Sequence, residues 1–457
     1  MASDIPAGSL AEVRGRLAQA AVDGGKYSMM LGVGGGLAAL GAILAGLNLT
    51  GENAERVWHL IHVNWIYFTG LTFGSLALSA VHKVVNAKWS GVILRFAQAN
   101  VLFLPVVWVF FLLLMTVGYE PVWGHMHEEL HTLPHGKEVW LSHPVMFGRL
   151  FLSLALMSWF GWKIVRTDIA ADAFLSKGKV DAGRRAKWEA LAGDYDHSAA
   201  AQEALTGRQI ISGCLYVVVY ALGMTCIAFD GMMSLQPHWF SNLFGGWYFM
   251  GSFLGAHMLL NLMQMYGGNT LGISDLITGK QRHDLGKLCF GFTIFWTYLM
   301  WAQFQVIWYA NLPEETGFVF ARLYGDWLPV GQAVFLGMFV IPFFGFLGVE
   351  PKKTRPWAML VATISLTALF TERYLMIVPT VSKGAAPQFG LPEIGPTALF
   401  LGLFLVMHAL FARTYPIVSP RLAEITLKRE IHHFAEEHYD ATDEDEDYFH
   451  APGTAKA

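Results

Sequence analysis

Apolar positions along the chain gather into ten runs, at about 29–48, 57–81, 96–118, 144–162, 209–229, 240–265, 288–309, 328–348, 357–379 and 396–412. Each approaches the roughly 20 apolar residues needed to cross about 30 Å of hydrocarbon, so each predicts a membrane helix. The gaps between runs alternate in basic content. Arg14, Arg16 and Lys26 precede the first run, and Lys83, Lys88 and Arg95 follow the second. Lys163 to Arg208, then Lys280, Arg282 and Lys287, then Lys352, Lys353 and Arg355, and last Arg413 to Lys456 fill every other gap after that. The intervening gaps hold only Arg56, Lys137, Arg322 and Lys383 of the chain's 31 lysines and arginines. Basic residues collect in cytoplasmic loops, so both termini are expected in the cytoplasm, as an even number of crossings requires.

The expected fold class is all-α and polytopic. Residues 1–28 form a cytoplasmic arm, 29–413 a membrane domain and 414–457 a cytoplasmic tail. Composition agrees, with 54% hydrophobic and only 14% charged residues, a balance of membrane proteins rather than soluble enzymes. The net charge of −4 says nothing about nucleic acid, but no exposed basic stripe exists, and no nucleic-acid partner is expected. The arm lacks the basic n-region and apolar h-region of a secretory signal. Leu10, Val13 and Leu17 make it an amphipathic surface helix. A second such helix is expected over 421–438, before a disordered acidic end that includes Asp440 to Asp447. Outside the membrane also lie a His- and acid-rich loop at 119–143 and a mixed-charge loop at 169–207.

Candidate chemistry is sparse. Cys214, Cys226 and Cys289 form no CxxC pair and no CxxCH haem attachment, so this chain is expected to hold neither an iron–sulfur cluster nor covalent haem. His62, His82, His257 and His408 do not pair at matching depth for a b-type haem. His127 and His131 are spaced for a shared metal on a helix, but the loop fits no metal signature and no metal is assigned.

Charged groups inside hydrocarbon are costly and are functional candidates by default. Counting 1.5 Å per residue, Arg149, Glu372 and Arg373 lie about 8 Å inside the outer boundary. His62 and Asp230 fall near the same level. One reading is structural pairing of Arg149 and Arg373 with Glu372 and Asp230. The other is a quinone or proton site, where a carboxylate and a histidine receive the protons of a hydroquinone. Glu372 and Arg373 are consecutive and point about 100° apart, which predicts a partner for each on another helix. In the inner half, His257, Asn261 and Gln264 line one helix face at i, i+4, i+7. With Asp275 they are candidates for a proton path, or for an interhelical hydrogen-bond stripe.

A faint duplication is visible. Tyr67-Phe68-Thr69-Gly70 with Gly74 returns four helices later as Tyr248-Phe249-Met250-Gly251 with Gly255. Small residues at i and i+4 let helices approach closely, as does Gly-Val-Gly-Gly-Gly at 32–36.

Three stretches carry a family resemblance: FDGMMSLQPHWFSNLFG (229–245), HDLGKLCFGFTIFWTYLMWAQFQVIWYANLPEE (283–315) and Asn86-Ala87-Lys88-Trp89-Ser90. They resemble the NrfD-like (polysulfide reductase C-type) membrane subunits, most closely the F-type subunit (ActF) of bacterial alternative complex III. The resemblance implies two four-helix bundles, about 57–229 and 240–379, with flanking helices 29–48 and 396–412. It implies an integral subunit of a respiratory quinol oxidoreductase in the bacterial cytoplasmic membrane, passing electrons to a cytochrome c or an oxidase. The implied partners are a second NrfD-like subunit, multihaem cytochromes, an iron–sulfur protein and a terminal oxidase. Haem c and iron–sulfur clusters would then sit in those partners, and quinol is the ligand this chain itself would meet. In that family a His/Asp/Asp/Arg set marks the quinol site of the C-type subunit. Here Asp230 sits in the motif and Glu372-Arg373 matches an acid–base pair, but the complete set is not matched. The expected role is scaffold, with a proton-conducting or secondary quinone-binding function. A purely structural anchor remains an alternative. So does a stand-alone secondary transporter, which helices broken at matching places in both repeats would favour; Pro105 and Pro342 are not at matching places.

Overall fold

The computed structural model describes residues 10–382 and 384–428, and among them it contains helices and no strands. α1 (Leu10–Val22) and α2 (Ser28–Asn48) lead into α3 (Ala54–Val84). The third apolar run is broken into α4 (Leu94–Gln98), a 3-10 stretch at Ala99–Phe103 and α5 (Leu104–Met115), which restarts with Pro105 in its first turn. α6 (Tyr119–Leu130) and α7 (His135–Leu141) precede α8 (His143–Ser176). Then come α9 (Ala182–Ala192), α10 (Ala199–Gly231), α11 (Phe244–Leu271), α12 (Gly279–Ala310) and α13 (Pro313–Leu323). α14 (Leu328–Phe335) joins α15 (Ile341–Gly345) through a π turn at Leu336–Val340. α16 (Val349–Lys353), α17 (Arg355–Val381) and α18 (Leu391–Thr414) complete the order.

Seven of these helical stretches are long and apolar enough to cross a membrane. α3, α11 and α12 match them in length, at 31, 28 and 32 residues, but are more polar. For α3 and α11 the reason is position. Both are buried along almost their whole length, so they face protein rather than lipid and tolerate His62, Asn64, His257 and Asn261. Helix ends extend beyond the apolar runs. α8 continues to Ser176, well past 162, and α18 starts at Leu391 because the Glu393 carboxylate accepts the Gly390 N–H at 2.7 Å.

The repeated glycines sit where the helices meet. A Cβ on Gly70 or Gly74 would lie 2.5 Å from Ser252 of α11, and one on Gly255 would lie 2.6 Å from Leu369 of α17. α3, α11 and α17 therefore share one glycine-lined centre. A second seam joins α2 to α18. A Cβ on Gly41 would lie 2.1 Å from the Leu399 nitrogen, and one on Gly402 would lie 2.3 Å from that of Ala38. In the run at 32–36 only Gly34 faces this seam; Gly32, Gly35 and Gly36 meet nothing within 4 Å.

The arm is not left on the surface. α1 buries Val13, Leu17, Ala20 and Ala21 against the body of the protein. Arg16 pairs Asp275 at 2.7 Å and Arg14 pairs Glu424 at 2.6 Å. Residues 420–428 are helical, as expected for the start of the tail; 429–438 and the acidic run lie outside the described residues.

The same end of the molecule holds a buried charge cluster that the sequence placed in solvated loops. Asp168 accepts hydrogen bonds from Lys83 (2.9 Å), Gln209 (2.6 Å), Arg421 (2.9 Å) and Gln98 (2.6 Å). Asp172, one turn later, pairs Arg95 and accepts the Arg421 N–H at 3.3 Å. Helices α3, α4, α8 and α10 and the tail are tied at one point. Removing one partner from such a cluster leaves uncompensated buried charge, at a cost of about 3–5 kcal/mol. We expect Asp168→Asn to lower stability by that order in a thermal-unfolding series. Asp181→Ala, which removes the exposed N-cap of α9 and a surface pair with Arg184, should cost about 1 kcal/mol. Equal losses for both would show that the cluster does not fasten the fold.

Candidate functional site

The five charged or titratable groups expected in one layer form two clusters. In the first, Arg149 of α8 grips Asp230 of α10 through two bonds, Nε to Oδ2 at 2.8 Å and Nη2 to Oδ1 at 2.5 Å. Its guanidinium also lies 3.7 Å over the ring of Trp140. This is interhelical stitching between a fully buried acid and a mostly buried base. His62 sits beside it, against Trp123 at a ring distance of 4.8 Å and within reach of Gly231. It is wholly buried, and neither ring nitrogen has a hydrogen-bond partner.

In the second cluster, Arg373 turns back on its neighbour, with Nη1 2.6 Å from Glu372 Oε2. The expectation that each needs a partner on another helix holds for Arg373, which reaches α11, and is corrected for Glu372, whose charge partner is its own neighbour. The arginine side chain is long enough to cancel the divergence of adjacent Cβ vectors. Its other end reaches α11, with Nη2 donating to the Tyr248 carbonyl at 3.3 Å and the guanidinium 4.5 Å over the Tyr248 ring. The contact with Glu372 is close but lacks hydrogen-bond alignment, so both carboxylate oxygens keep open acceptor directions although the residue is wholly buried.

Glu372 is among the residues that line a cavity of about 610 Å³ between α12, α13, α14 and α17. That is a size typical of small-ligand sites. Trp239, Trp247, Met300, Phe304, Ile307, Phe318 and Phe335 contribute to its walls, and Gln303 and Gln332 add two amides. Trp301 and Leu336, both exposed, stand at the rim, so the mouth opens on the apolar flank of the molecule. Trp239 of the 229–245 stretch meets Met300 to Ile307 of the 283–315 stretch here. The π turn after α14 begins at the cavity wall with Leu336, and such turns recur at functional sites.

The cavity also holds a residue that sequence reasoning read only as a loop charge. Arg322 is 3% exposed and, among the described residues, joins no ion pair. Its Nη1 donates to the Phe318 carbonyl at 2.8 Å, and Nη2 to the Met376 carbonyl at 2.6 Å and to Thr380 at 2.8 Å. Its plane lies 3.5 Å over Phe318, which stacks on Trp239 at 3.7 Å. Its Nε has no partner, nor do the indole nitrogens of Trp239 and Trp247. The sequence signal was present as an isolated arginine in an otherwise sparsely basic gap.

The inner candidates separate. Asn261 donates to Cys289 Sγ at 3.2 Å, and Gln264 donates to Asn261 at 3.2 Å. His257 Nδ1 meets the Phe253 carbonyl at 2.8 Å. These three form a stripe between α11 and α12. Asp275 is not part of it, being bound to Arg16 of the arm through both oxygens. Burial works against charge on Asp275, but the Arg16 hydrogen bonds outweigh it and hold the carboxyl below its usual range. In the loop after α6, His131 approaches Glu138 at 3.4 Å; the side chain of His127 lies outside the described residues.

No protein-family model matches the chain, and no curated protein matches it.

Two outcomes follow from these contacts. Arg149→Met strands Asp230 in the interior, so the double variant Arg149→Met/Asp230→Asn should be more stable than the single one. Additive losses in the melting temperatures would contradict pairing. For the arm, a depressed carboxyl stabilises docking above the ordinary range near pH 4 and loses it as the pH falls through the folded value. Proteolysis between α1 and α2 should therefore quicken below about pH 4 and stay flat between pH 5 and 8. A rise confined to neutral pH would exclude Asp275 as the clasp.

Proposed function

We propose that the chain is an integral membrane subunit of a respiratory quinol:electron-acceptor oxidoreductase, of the kind represented by the F-type subunit of alternative complex III. In this reading ten helical segments cross a bacterial cytoplasmic membrane. The arm, α9 and the tail face the cytoplasm, and α6, α7 and α13 face outward. The alternating basic gaps support that orientation. The chain acts as scaffold for partners that carry haem c and iron–sulfur clusters, and it offers a secondary quinone site of its own.

The observation that carries the quinone part is Glu372: a buried carboxylate, unmet by any aligned donor, on the wall of an apolar cavity that opens on the flank. A quinone is lipid-soluble and reaches a site through such a flank. A ring hydroxyl donates to Glu372, and the carboxylate is placed to take its proton. His62, Arg149 and Asp230 lie in the other cluster and contribute by holding α3, α8 and α10.

The alternative of a purely structural anchor draws on the pairing of Arg149 with Asp230 and of Arg373 with Glu372. A transporter is disfavoured, because the interruptions at Ala99–Phe103 and Leu336–Val340 fall in the second helix of one group and the third of the other.

Purification on a C-terminal tag in mild detergent should bring down c-type haem, a second membrane subunit and quinol-dependent reduction activity. A colourless protein without partners would reject the respiratory reading. In the assembled complex, Glu372→Gln should lower quinol turnover by about 10²-fold or more at normal protein levels if the carboxylate accepts the proton. Unchanged turnover would leave the anchor.

A further inference from the structure

Four residues that line the flank cavity carry polar groups without an aligned hydrogen-bond partner, Glu372 having only its ion-pair contact with Arg373, and their types are complementary. Arg322 Nε, Trp239 Nε1 and Trp247 Nε1 are donors; the Glu372 oxygens are acceptors. All four residues are at least nine-tenths buried, and all line the same cavity. Buried groups of this kind are normally satisfied, so several in one apolar pocket point to a ligand that satisfies them. The charges narrow its class. An acidic phospholipid or a fatty acid would meet Arg322 and the indoles, but its own anion would oppose Glu372 and offer it no donor. A hydrocarbon chain alone would meet none of the four. A neutral, lipid-soluble ring with an acceptor oxygen at one position and a hydroxyl at another meets both kinds. The aromatic walls suit such a ring, and no aliphatic ligand exploits them equally.

We propose that Arg322 is the specificity-determining donor of this cavity. It binds one ring oxygen of a quinone-class ligand while Glu372 accepts from the other. The proposal rests on the quinone reading above and deepens it by assigning the two ends of the ring. Arg322 suits the role because its three protein contacts use Nη1 and Nη2 and leave Nε free. The stack on Phe318 and Trp239 fixes its plane.

The test uses the purified complex in nanodiscs and a photoreactive azidoquinone, with labelled peptides read by mass spectrometry. The wild type should be labelled within 300–336 or 372–376, and unlabelled quinone should compete. Arg322→Gln should weaken labelling by about tenfold or more, the scale of a lost charged hydrogen bond. Arg322→Lys should recover only part, since it keeps the charge but not the planar fork. Trp247→Phe, which removes one indole N–H and keeps the ring stack, should weaken labelling severalfold and serves if Arg322→Gln does not assemble. Wild-type labelling at the cavity that neither Arg322→Gln nor Trp247→Phe alters would overturn the role of Arg322 and leave the quinone reading standing. Absence of label at the cavity, or displacement by cardiolipin vesicles and not by quinone, would overturn both.

Discussion

Hydrocarbon offers no hydrogen bonds, so every polar group carried into it must be met by another part of the same protein or by something the protein binds. This chain meets the demand in two different ways at its two ends. Around Asp168 the protein supplies its own partners, with two amides and two cations on one carboxylate. Because these come from three helices and the tail and converge on a fourth helix, the electrostatic requirement also dictates which elements must be adjacent. The architecture at that end is as much a solution to charge neutralisation as to apolar packing.

Near the other end the accounts are left open. Arg149 pairs Asp230 and Arg373 pairs Glu372, but Arg322 and two indoles among the residues that line the cavity keep unpartnered nitrogens. The carboxylate of Asp168 is fully met, although Arg95, Gln98 and Arg421 around it keep unpartnered atoms of their own.

Much of the helical framework was legible because hydrocarbon imposes a length and a composition on every crossing. The ten apolar runs reappear as long helices or broken pairs, and the glycines of the repeat lie at helix contacts. What escaped was long-range. The basic gaps around Lys83, Arg95 and Arg421 read as solvated charge, because sequence shows charge sign but not that α8 runs on past 162 as one helix and carries Asp168 and Asp172 to meet them. Glu372 and Arg373 were found by their depth, yet their pairing depended on side-chain reach rather than backbone direction. Arg322 was hidden for the opposite reason: α13 lies outside the apolar runs, and only the folded chain presses it over Phe318 and α17. Asp275 looked membrane-proximal and instead belongs to the clasp on the arm.

The glycine seam between α2 and α18 has a consequence for how the protein is made. α2 is among the most lipid-exposed of the long helices, and its tightest partner is the last helix of the membrane domain. During synthesis α2 enters the bilayer early and waits for nearly the whole chain to follow. At roughly 5–20 residues per second that delay is on the order of half a minute. Throughout it, Gly34 and Gly41 present a bare groove to lipid and to any other small-faced helix nearby. Assembly at this seam is thus a closing of α2 and α18 upon each other, and a helix inserted early is among the last to be locked.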